Sequence, residues 1–448
     1  MRVFLLILGD LIVLFASLAL TVLVRYGRAE WLTRFIPHLL PFSAVFLVWL
    51  IVFYIAGLYD FRRLRNRLDF FRVLSVSLAV NALLATVFFY LTRSSGITPK
   101  TNLVIFLIFF FILETFWRQW FNRISRSMFP MSRIILFGDN QASEELFGFL
   151  KENPQLGYEV CAWVQASGDL PAQMHDWKDL ARSNSADTLV MPRDVLRDPR
   201  LKRVFFELID YGLEIKDLPV FYESIFNKIP LSEIDEEWFL EHITGTHDTY
   251  EFMRRGTDFL IATVAQIIFL PLEVLIIPTI LLTSRGPLIY KQTRAGRHGK
   301  PFMLYKFRRM YNEKAKNPDA DSSSPTWSPP SGDSRETPVG KLLRASHLDE
   351  LPQLINILKG DMSFVGPRPE RPELIQTLKT EVPYYEMRSL IKPGLTGWAQ
   401  IHHSKDANLE DVKEKLSYDL YYLKNRSFVI DLAIIIKTIK VLFVKPSK

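Results

Sequence analysis

The sequence predicts a membrane protein in three parts: a four-helix transmembrane bundle at the N-terminus (residues 1–126), an α/β middle domain (127–250) and an α-rich C-terminal domain (251–448) that carries a broken, re-entrant membrane helix. Three observations predict it. Four apolar runs fall within the first 120 residues, each close to the ~20 residues that a helix needs to cross a ~30 Å hydrocarbon core. Short apolar runs then alternate with helical patterns, the sign of a parallel sheet. A fifth apolar run, 259–283, is interrupted by proline and flanked by cations on both sides.

Composition sets the outer bounds. At roughly 100–200 residues per domain, 448 residues make two to four domains. The chain is 48% hydrophobic with 34 Phe, yet 23% charged, because its apolar residues concentrate near the N-terminus. That excludes a disordered chain, a collagen-like repeat and a simple soluble enzyme. Cys161 is the single cysteine, which excludes an internal disulfide framework and a Cys-based zinc or iron–sulfur site. The net charge of +7 suits nucleic acid, anionic lipid or a phosphorylated substrate, depending on where the cations sit.

Residues 3–24 are apolar except for Asp10, 35–58 and 73–91 carry no formal charge, and 102–117 are apolar except for Glu114. The first run is too long for a signal peptide and lacks a small-residue cleavage site, so it reads as an anchor. Arg62, Arg63, Arg65, Arg67 and Arg72 follow the second run, and Arg118, Arg123, Arg126 and Arg133 follow the fourth. The loop between the third and fourth holds only Arg93 and Lys100, while the first loop holds Arg25, Arg28 and Arg34. This asymmetry predicts an N-terminus inside, four crossings, and everything after residue 120 in the cytoplasm. Asp10 and Glu114 are costly in lipid and are expected to face the bundle interior in a satisfied structural contact.

The middle domain begins with Arg133-Ile-Ile-Leu-Phe-Gly138 and a helical pattern through Leu150; Tyr158–Val164 and Thr188–Met191 read as further strands. The turn after Gly138 sits where a dinucleotide-binding loop would lie, but the further glycines of that fingerprint are missing and Asp139 is unhelpful to a phosphate. The expectation is a Rossmann-like domain of structural or regulatory use, without a nicotinamide or flavin cofactor.

Pro271 divides the fifth run. A proline deletes a helical hydrogen bond and clashes with the preceding turn. The 12 residues before it make roughly 18 Å of helix, too short to span. Arg254 and Arg255 precede the run, and eight Lys or Arg with no Asp or Glu lie between Arg285 and Met310. Both ends therefore favour the cytoplasm, and a re-entrant helix broken at Pro271 follows. A plain fifth crossing, the alternative, would put the C-terminal domain outside.

Beyond it, Lys291, Arg294, Arg297, Lys300, Lys306, Arg308 and Arg309 form a basic stretch against the membrane segment. A patch at a bilayer surface suits lipid headgroups or a phosphorylated substrate and not nucleic acid. Residues 311–338, rich in Ser, Pro, Asp and Asn, read as a loop. Pro352 is tolerated only in the first turn of a helix, so a helix reaching Leu358 is expected to start near Asp349, with Asp349 as N-cap and Glu350 in the first turn. Adjacent carboxylates among this many cations are what a divalent metal and a diphosphate need, and an ionised Asp is a competent nucleophile toward phosphorus. A capping Asp followed by a first-turn Glu is the plain alternative.

At these residues the chain resembles the bacterial polyprenyl-phosphate phosphoglycosyl transferases of the monotopic type, above all the large members that initiate O-antigen, capsule or exopolysaccharide assembly. The likeness rests on KPFMLYKFRRM (300–310), LDELPQLINILKGDMSFVGPRP (348–369) and KPGLTGWAQI (392–401) and extends over essentially the whole chain. It implies a ping-pong reaction. Asp349 attacks the β-phosphate of a UDP-sugar and releases UMP, and polyprenyl (undecaprenyl) phosphate then takes the sugar-phosphate from the enzyme. Glu350 becomes the partner of Asp349, and Mg²⁺ the cofactor, contacting both. Lys306, Arg344, Arg368 and Arg388 match the basic residues near the phosphates, and Gly394, Thr396 and Gly397 match the pocket architecture. The implied setting is the bacterial inner membrane with the catalytic domain on the cytoplasmic face, and the implied assembly is a homodimer. The chain departs from the family pattern at Leu270-Pro271, usually Ser-Pro, at His347, often Ser or Thr, and at Arg426, often Trp. Two other function classes are a catalytically inactive scaffold or regulator, disfavoured by the intact Asp349, Glu350, Lys306 and Arg368, and a transporter, for which the spans offer only Asp10, Asn81 and Glu114 as polar groups.

Overall fold

The computed structural model describes residues 2–59, 68–91, 99–128, 131–165, 177–243, 248–311, 336–403 and 408–443. Arg62, Arg63, Arg65, Arg67 and Arg93, and residues 312–335 of the expected loop, lie outside the described residues. Packing divides the chain into two compact units, Met1–Asp217 and Leu218–Lys448.

The first unit opens with three helices, α1 (Arg2–Ala56), α2 (Leu68–Leu91) and α3 (Pro99–Met128). The first two apolar runs share α1, which breaks at Gly27, at φ 73° and ψ 173°. A residue with a Cβ is strained at that positive φ, and glycine is not. The chain doubles back there: Trp31 Nε1 donates to the Ala19 carbonyl at 3.1 Å, and the Phe15 and Phe46 rings meet at 5.2 Å. In a straight helix those rings would lie roughly 46 Å apart. Two arms of α1 with α2 and α3 thus make four apolar rods, and α1, α2 and α3 are each long and apolar enough to cross a membrane. Their core is aromatic, with Phe46 on Phe106 and Phe53 on Phe110.

Asp10 and Glu114 face this interior, as expected. Arg118, itself 1% exposed, binds Asp10 and Glu114 at 2.6 Å each and donates to the Leu58 carbonyl at 3.1 Å. Trp117 Nε1 adds a donor to Asp10 at 3.0 Å.

An α/β layer follows: β1 (Ser132–Phe137), α4 (Gln141–Glu152), β2 (Tyr158–Val164), α5 (Trp177–Ser183), β3 (Thr188–Met191), α6 (Arg193–Arg197), α7 (Lys202–Asp210) and β4 (Glu214–Asp217). The sheet is parallel, in the order β2-β1-β3-β4. Ile135, Phe137, Leu189 and Met191 pack on one side against Trp177, Phe205 and Leu208. After β1, Asn140 caps α4 by accepting from Ser143 N at 2.8 Å, and the Gly138 carbonyl accepts from Trp163 Nε1 at 2.7 Å.

The second unit begins with α8 (Leu218–Phe226) and α9 (Glu236–His242). These residues lie within the expected middle domain, but Ile229, Trp238 and Phe239 join a core with Val382, Leu420 and Leu423 of the second unit. Then come α10 (Asp248–Thr283), the hairpin β5 (Ile289–Ala295) and β6 (Pro301–Phe307), α11 (Pro338–Ala345), α12 (Gln353–Lys359), β7 (Ser363–Val365), α13 (Pro372–Glu381), β8 (Gly394–Thr396), α14 (Trp398–His402), α15 (Leu409–Asn425) and α16 (Phe428–Phe443). α10 contains Pro271 and Pro278. Before Pro271, Ala262 packs in a cluster with Leu304, Leu354 and Ile357; after it, Ile276 and Ile280 pack with Phe307 and Leu343. Between these anchors Ile267, Ile268, Leu270 and Leu275 are more than half exposed. Gln266 Nε2 donates to Glu273 Oε2 at 2.9 Å across the proline.

Candidate active site

Four short segments build the site, and local chemistry fixes each. β5 and β6 pair antiparallel, which places Lys306 opposite Tyr290 near the end of the hairpin. Beyond it, Arg308 donates to the Pro287 and Ser284 carbonyls at 2.8 and 2.6 Å, tying the strand to the chain just past α10. Thr337 caps α11 by accepting from Gly340 N at 2.8 Å, and Thr337 N donates to the Arg309 carbonyl at 3.0 Å. α11 lies so close to this strand end that a Cβ on Gly340 would stand 1.9 Å from the Arg309 carbonyl oxygen. Only glycine permits that approach.

α11 ends at Ala345, and His347 adopts a left-handed conformation at φ 57°. Leu348–Glu350 then form a 3₁₀ turn, and α12 starts only at Gln353. The expected helix start at Asp349 is therefore corrected: Pro352 stands at the N-cap of α12, and Asp349 caps nothing. The reversal at His347 tightens the entering chain to i→i+3 bonds, as in Glu350 N to the His347 carbonyl at 3.1 Å. Pro352 is compatible with either arrangement.

The turn carries the two carboxylates into different surroundings. Asp349 is 3% exposed and accepts no hydrogen bond among the described residues; Arg309 Nη1 stands 3.5 Å from its Oδ2. Burial, and then the neighbouring Glu350 carboxylate, push Asp349 above the ordinary carboxylate range against the pull of Lys306, Arg309 and His347. Glu350 receives Lys306 Nζ at 2.6 Å. Burial alone would raise it, but Lys306, Arg368 and His347 reverse the sign and hold it at about 2. Two adjacent acids are thus driven apart, one basic and unblocked, the other firmly ionised.

The other expected residues divide between this centre and its supports. Lys306 is at the dyad, and the Arg368 charge acts on Glu350. Arg344 pairs with Glu336 at 2.9 Å. Arg388 is buried: it reaches Asp419 at 2.8 Å, the Tyr385 hydroxyl at 2.6 Å and the Arg368 carbonyl at 3.2 Å. It therefore holds the main chain that carries Arg368. Gly394 and Gly397 let β8 meet the chain after β7, since a Cβ on either would come within about 2.2 Å of Gly366 backbone atoms. Thr396 Oγ1 shares a 2.7 Å hydrogen bond with Thr438 Oγ1 of α16. A small cleft opens beside this support, lined by Gly296, Pro367, Arg368, Glu370 and Arg388.

Two contributors carry no mark in the sequence. Arg309 belongs to the basic stretch, but nothing in its spacing aims it at Asp349. Asn356 is fully buried, accepts from Tyr305 N at 3.1 Å and donates to the Met303 carbonyl at 2.7 Å. One amide locks the helix behind the dyad to the strand carrying Lys306.

Among the described residues, no group of three or more His, Cys, Asp or Glu is arranged to hold a metal ion. The donor set still fits Mg²⁺, which is commonly held by one or two carboxylates together with substrate phosphates and water. Asp349 Oδ1 and Glu350 Oε2 have no hydrogen-bond partner among the described residues, and Lys306 engages only the other Glu350 oxygen.

Comparison with known proteins gives a consistent picture. The family model described as bacterial sugar transferase matches residues 249–445. A UDP-N-acetylgalactosamine-undecaprenyl-phosphate N-acetylgalactosaminephosphotransferase of Aeromonas hydrophila is 39% identical over 191 residues, 43% of this chain and 44% of that one. A UDP-glucose:undecaprenyl-phosphate glucose-1-phosphate transferase of Caulobacter vibrioides is 36% identical, over 42% of this chain and 69% of its own. The Escherichia coli K12 protein of that name is 29% identical over 68% of this chain and 66% of its own. The match thus covers less than half of the Aeromonas protein's length and about two thirds of the Escherichia protein's.

Proposed function

The chain belongs to the bacterial sugar transferase family, and from that premise we propose that it moves a sugar-1-phosphate from a UDP-sugar to polyprenyl phosphate, with undecaprenyl phosphate the acceptor. The observation that carries the proposal is the split dyad: a buried, unblocked Asp349 beside a Glu350 kept ionised by Lys306. An Asp349 oxygen attacks the β-phosphorus; the bond from that phosphorus to the bridging oxygen breaks, and UMP departs with the electron pair. A phosphate oxygen of the lipid then attacks the same phosphorus, and the Asp349 carboxylate leaves as it was. Arg309 holds the Asp349 side chain from one side, leaving the other to the incoming phosphate. Lys306 and Arg368 set positive charge where the diphosphate gathers negative charge, and such positioning supplies most of the catalysis in phosphoryl transfer. Mg²⁺, held by Asp349 and Glu350, would neutralise the diphosphate.

The reading includes a re-entrant α10. The packing that supports it lies on both sides of Pro271, because Ala262 before it and Ile280 after it are anchored in the same unit while the apolar stretch between them is bare. A spanning helix would present its ends to opposite sides. The Gln266–Glu273 bond spans Pro271, where the usual serine is missing, within a helix that runs continuously from Asp248 to Thr283. Cysteine labels at 256 and 287 should both report the cytoplasm; labels on opposite sides would refute re-entry. The same reading sets the protein in the bacterial inner membrane as a homodimer, with both soluble parts cytoplasmic, at the first membrane step of O-antigen, capsule or exopolysaccharide assembly.

The relatives are named for UDP-glucose and UDP-N-acetylgalactosamine. The candidate donors are UDP-glucose and UDP-galactose, followed by the N-acetylated sugars. Full-length protein in detergent with undecaprenyl phosphate, screened against these donors, should release UMP with one of them; no release with any would overturn the proposal.

A further inference from the structure

We infer that the outward face of α7 is a self-complementary contact between two copies of this chain. The inference rests on the homodimer reading above and names its surface. α7 buries Phe205 and Leu208 in the core of its unit and turns Lys202, Phe206, Ile209 and Asp210 outward. Phe206 is 76% exposed and Ile209 57%. Large apolar side chains this bare on a short charged helix point to a surface that is covered in use.

The charges say what covers it. Lys202, Phe206 and Asp210 are four residues apart and form one stripe along the helix. Lys202 and Asp210 are exposed, and neither has an ion-pair partner among the described residues. Both also carry the wrong sign for their own helix. The first turn has no acid and the last turn no base, although the helix dipole favours both. An antiparallel copy of α7 reverses this. With a two-fold axis through Phe206, each Lys202 falls opposite the Asp210 of the other copy and beside its negative helix end, while Phe206 meets its own counterpart. Isologous contacts have this property: one stripe complements itself twice. A nine-residue helix offers less than the ~800 Å² per partner of a stable soluble interface, so the contact suits copies already confined to one membrane.

The test uses the full chain reconstituted in lipid vesicles, with Cys161→Ser as background. A single Phe206→Cys should be joined to its counterpart by a short bis-maleimide, because the axis passes through that residue. In the wild type, dimer formation is followed by energy transfer between labelled copies at increasing dilution in lipid. Phe206→Glu should weaken it at least about tenfold. Lys202→Glu and Asp210→Lys should each weaken it, and the double exchange should restore it. A dimer that persists in Phe206→Glu, with no cross-link at 206, would give this face to the bilayer or to another protein and overturn the inference, leaving the homodimer reading intact. A wild type that stays monomeric at every density would remove both.

Discussion

Asp349→Asn separates chemistry from stability at the dyad. The amide cannot attack phosphorus or carry the sugar-phosphate, so UMP release should fall by at least about 10³-fold. Stability should move little, and in an unusual direction. Asp349 accepts no hydrogen bond among the described residues, and the cation paired with it, Arg309, is 3.5 Å away and 28% exposed. Such a pair contributes about 0.5–1 kcal/mol at most. Against it stand the burial of the charge and the repulsion of Glu350, and these win, since the carboxyl is raised. A raised acid favours the fold while protonated and weighs against it as pH climbs past the unfolded value near ~3.9 and through the folded one. At neutral pH the ionised group is therefore a net cost. Its neutral isostere should leave the melting temperature unchanged or raise it by a few degrees, about 1 kcal/mol for a unit of this size. The assay pairs UMP release with a thermal melt in the same detergent, and a labelled UDP-sugar should trap a phosphosugar on Asp349 of the wild type alone. Near-normal turnover, a label elsewhere, or a clear fall in melting temperature would each refute part of this reasoning.

Glu350→Gln should cripple turnover and also move the acid limb of kcat/KM to lower pH, because it removes the like charge that raises Asp349; a limb that stays put or rises would contradict the coupling. Glu350 is depressed to about 2, so its stabilisation is complete above its unfolded value near ~4.3 and drains away as pH falls toward 2; acid denaturation of Glu350→Gln should be correspondingly less steep. Asn356→Ala strands Tyr305 N and the Met303 carbonyl and should cost about 2–4 kcal/mol, read as a fall in melting temperature. Arg388→Lys cannot span Asp419, Tyr385 and the Arg368 carbonyl together; a loss of roughly 3–5 kcal/mol is expected, with KM for the UDP-sugar rising as Arg368 loosens.

What the sequence reveals and what it hides follow one rule: patterns local in the chain are legible, and partnerships across it are not. The apolar runs, the strands at 132–137, 158–164 and 188–191, and the clustering of Asp349, Glu350 and Lys306 all follow from composition, periodicity or the family likeness. Asn356 meets Met303 and Tyr305 more than fifty residues away, and the charge on Arg388 is balanced by Asp419 on a helix that shows no motif. The 3₁₀ turn at Leu348–Glu350 escapes for a different reason. Proline at 352 excludes a helix interior but does not choose between a cap at Asp349 and a tight turn, and the left-handed His347 that decides it is not a glycine. The fold-back at Gly27 is likewise open until Trp31 is seen to reach Ala19. Leu218–His242 follow a run of α/β pattern without any linker signal, so only their packing assigns them to the second unit.

The Arg118 cluster bears on how the bundle enters the bilayer. Arg118 belongs to the last of the four rods, Asp10 to the first, and the Leu58 carbonyl to the end of the second. A lone arginine or aspartate near mid-membrane costs about 2.5–3.5 kcal/mol on insertion scales. The first rod therefore leaves the ribosome with a carboxylate whose cation partner among the described residues, Arg118, is made a hundred residues later. Lateral release of each helix as it is synthesised would strand that charge. A nascent chain halted before Arg118 should stay bound to the insertion machinery, and one extended past it should partition into lipid as a set.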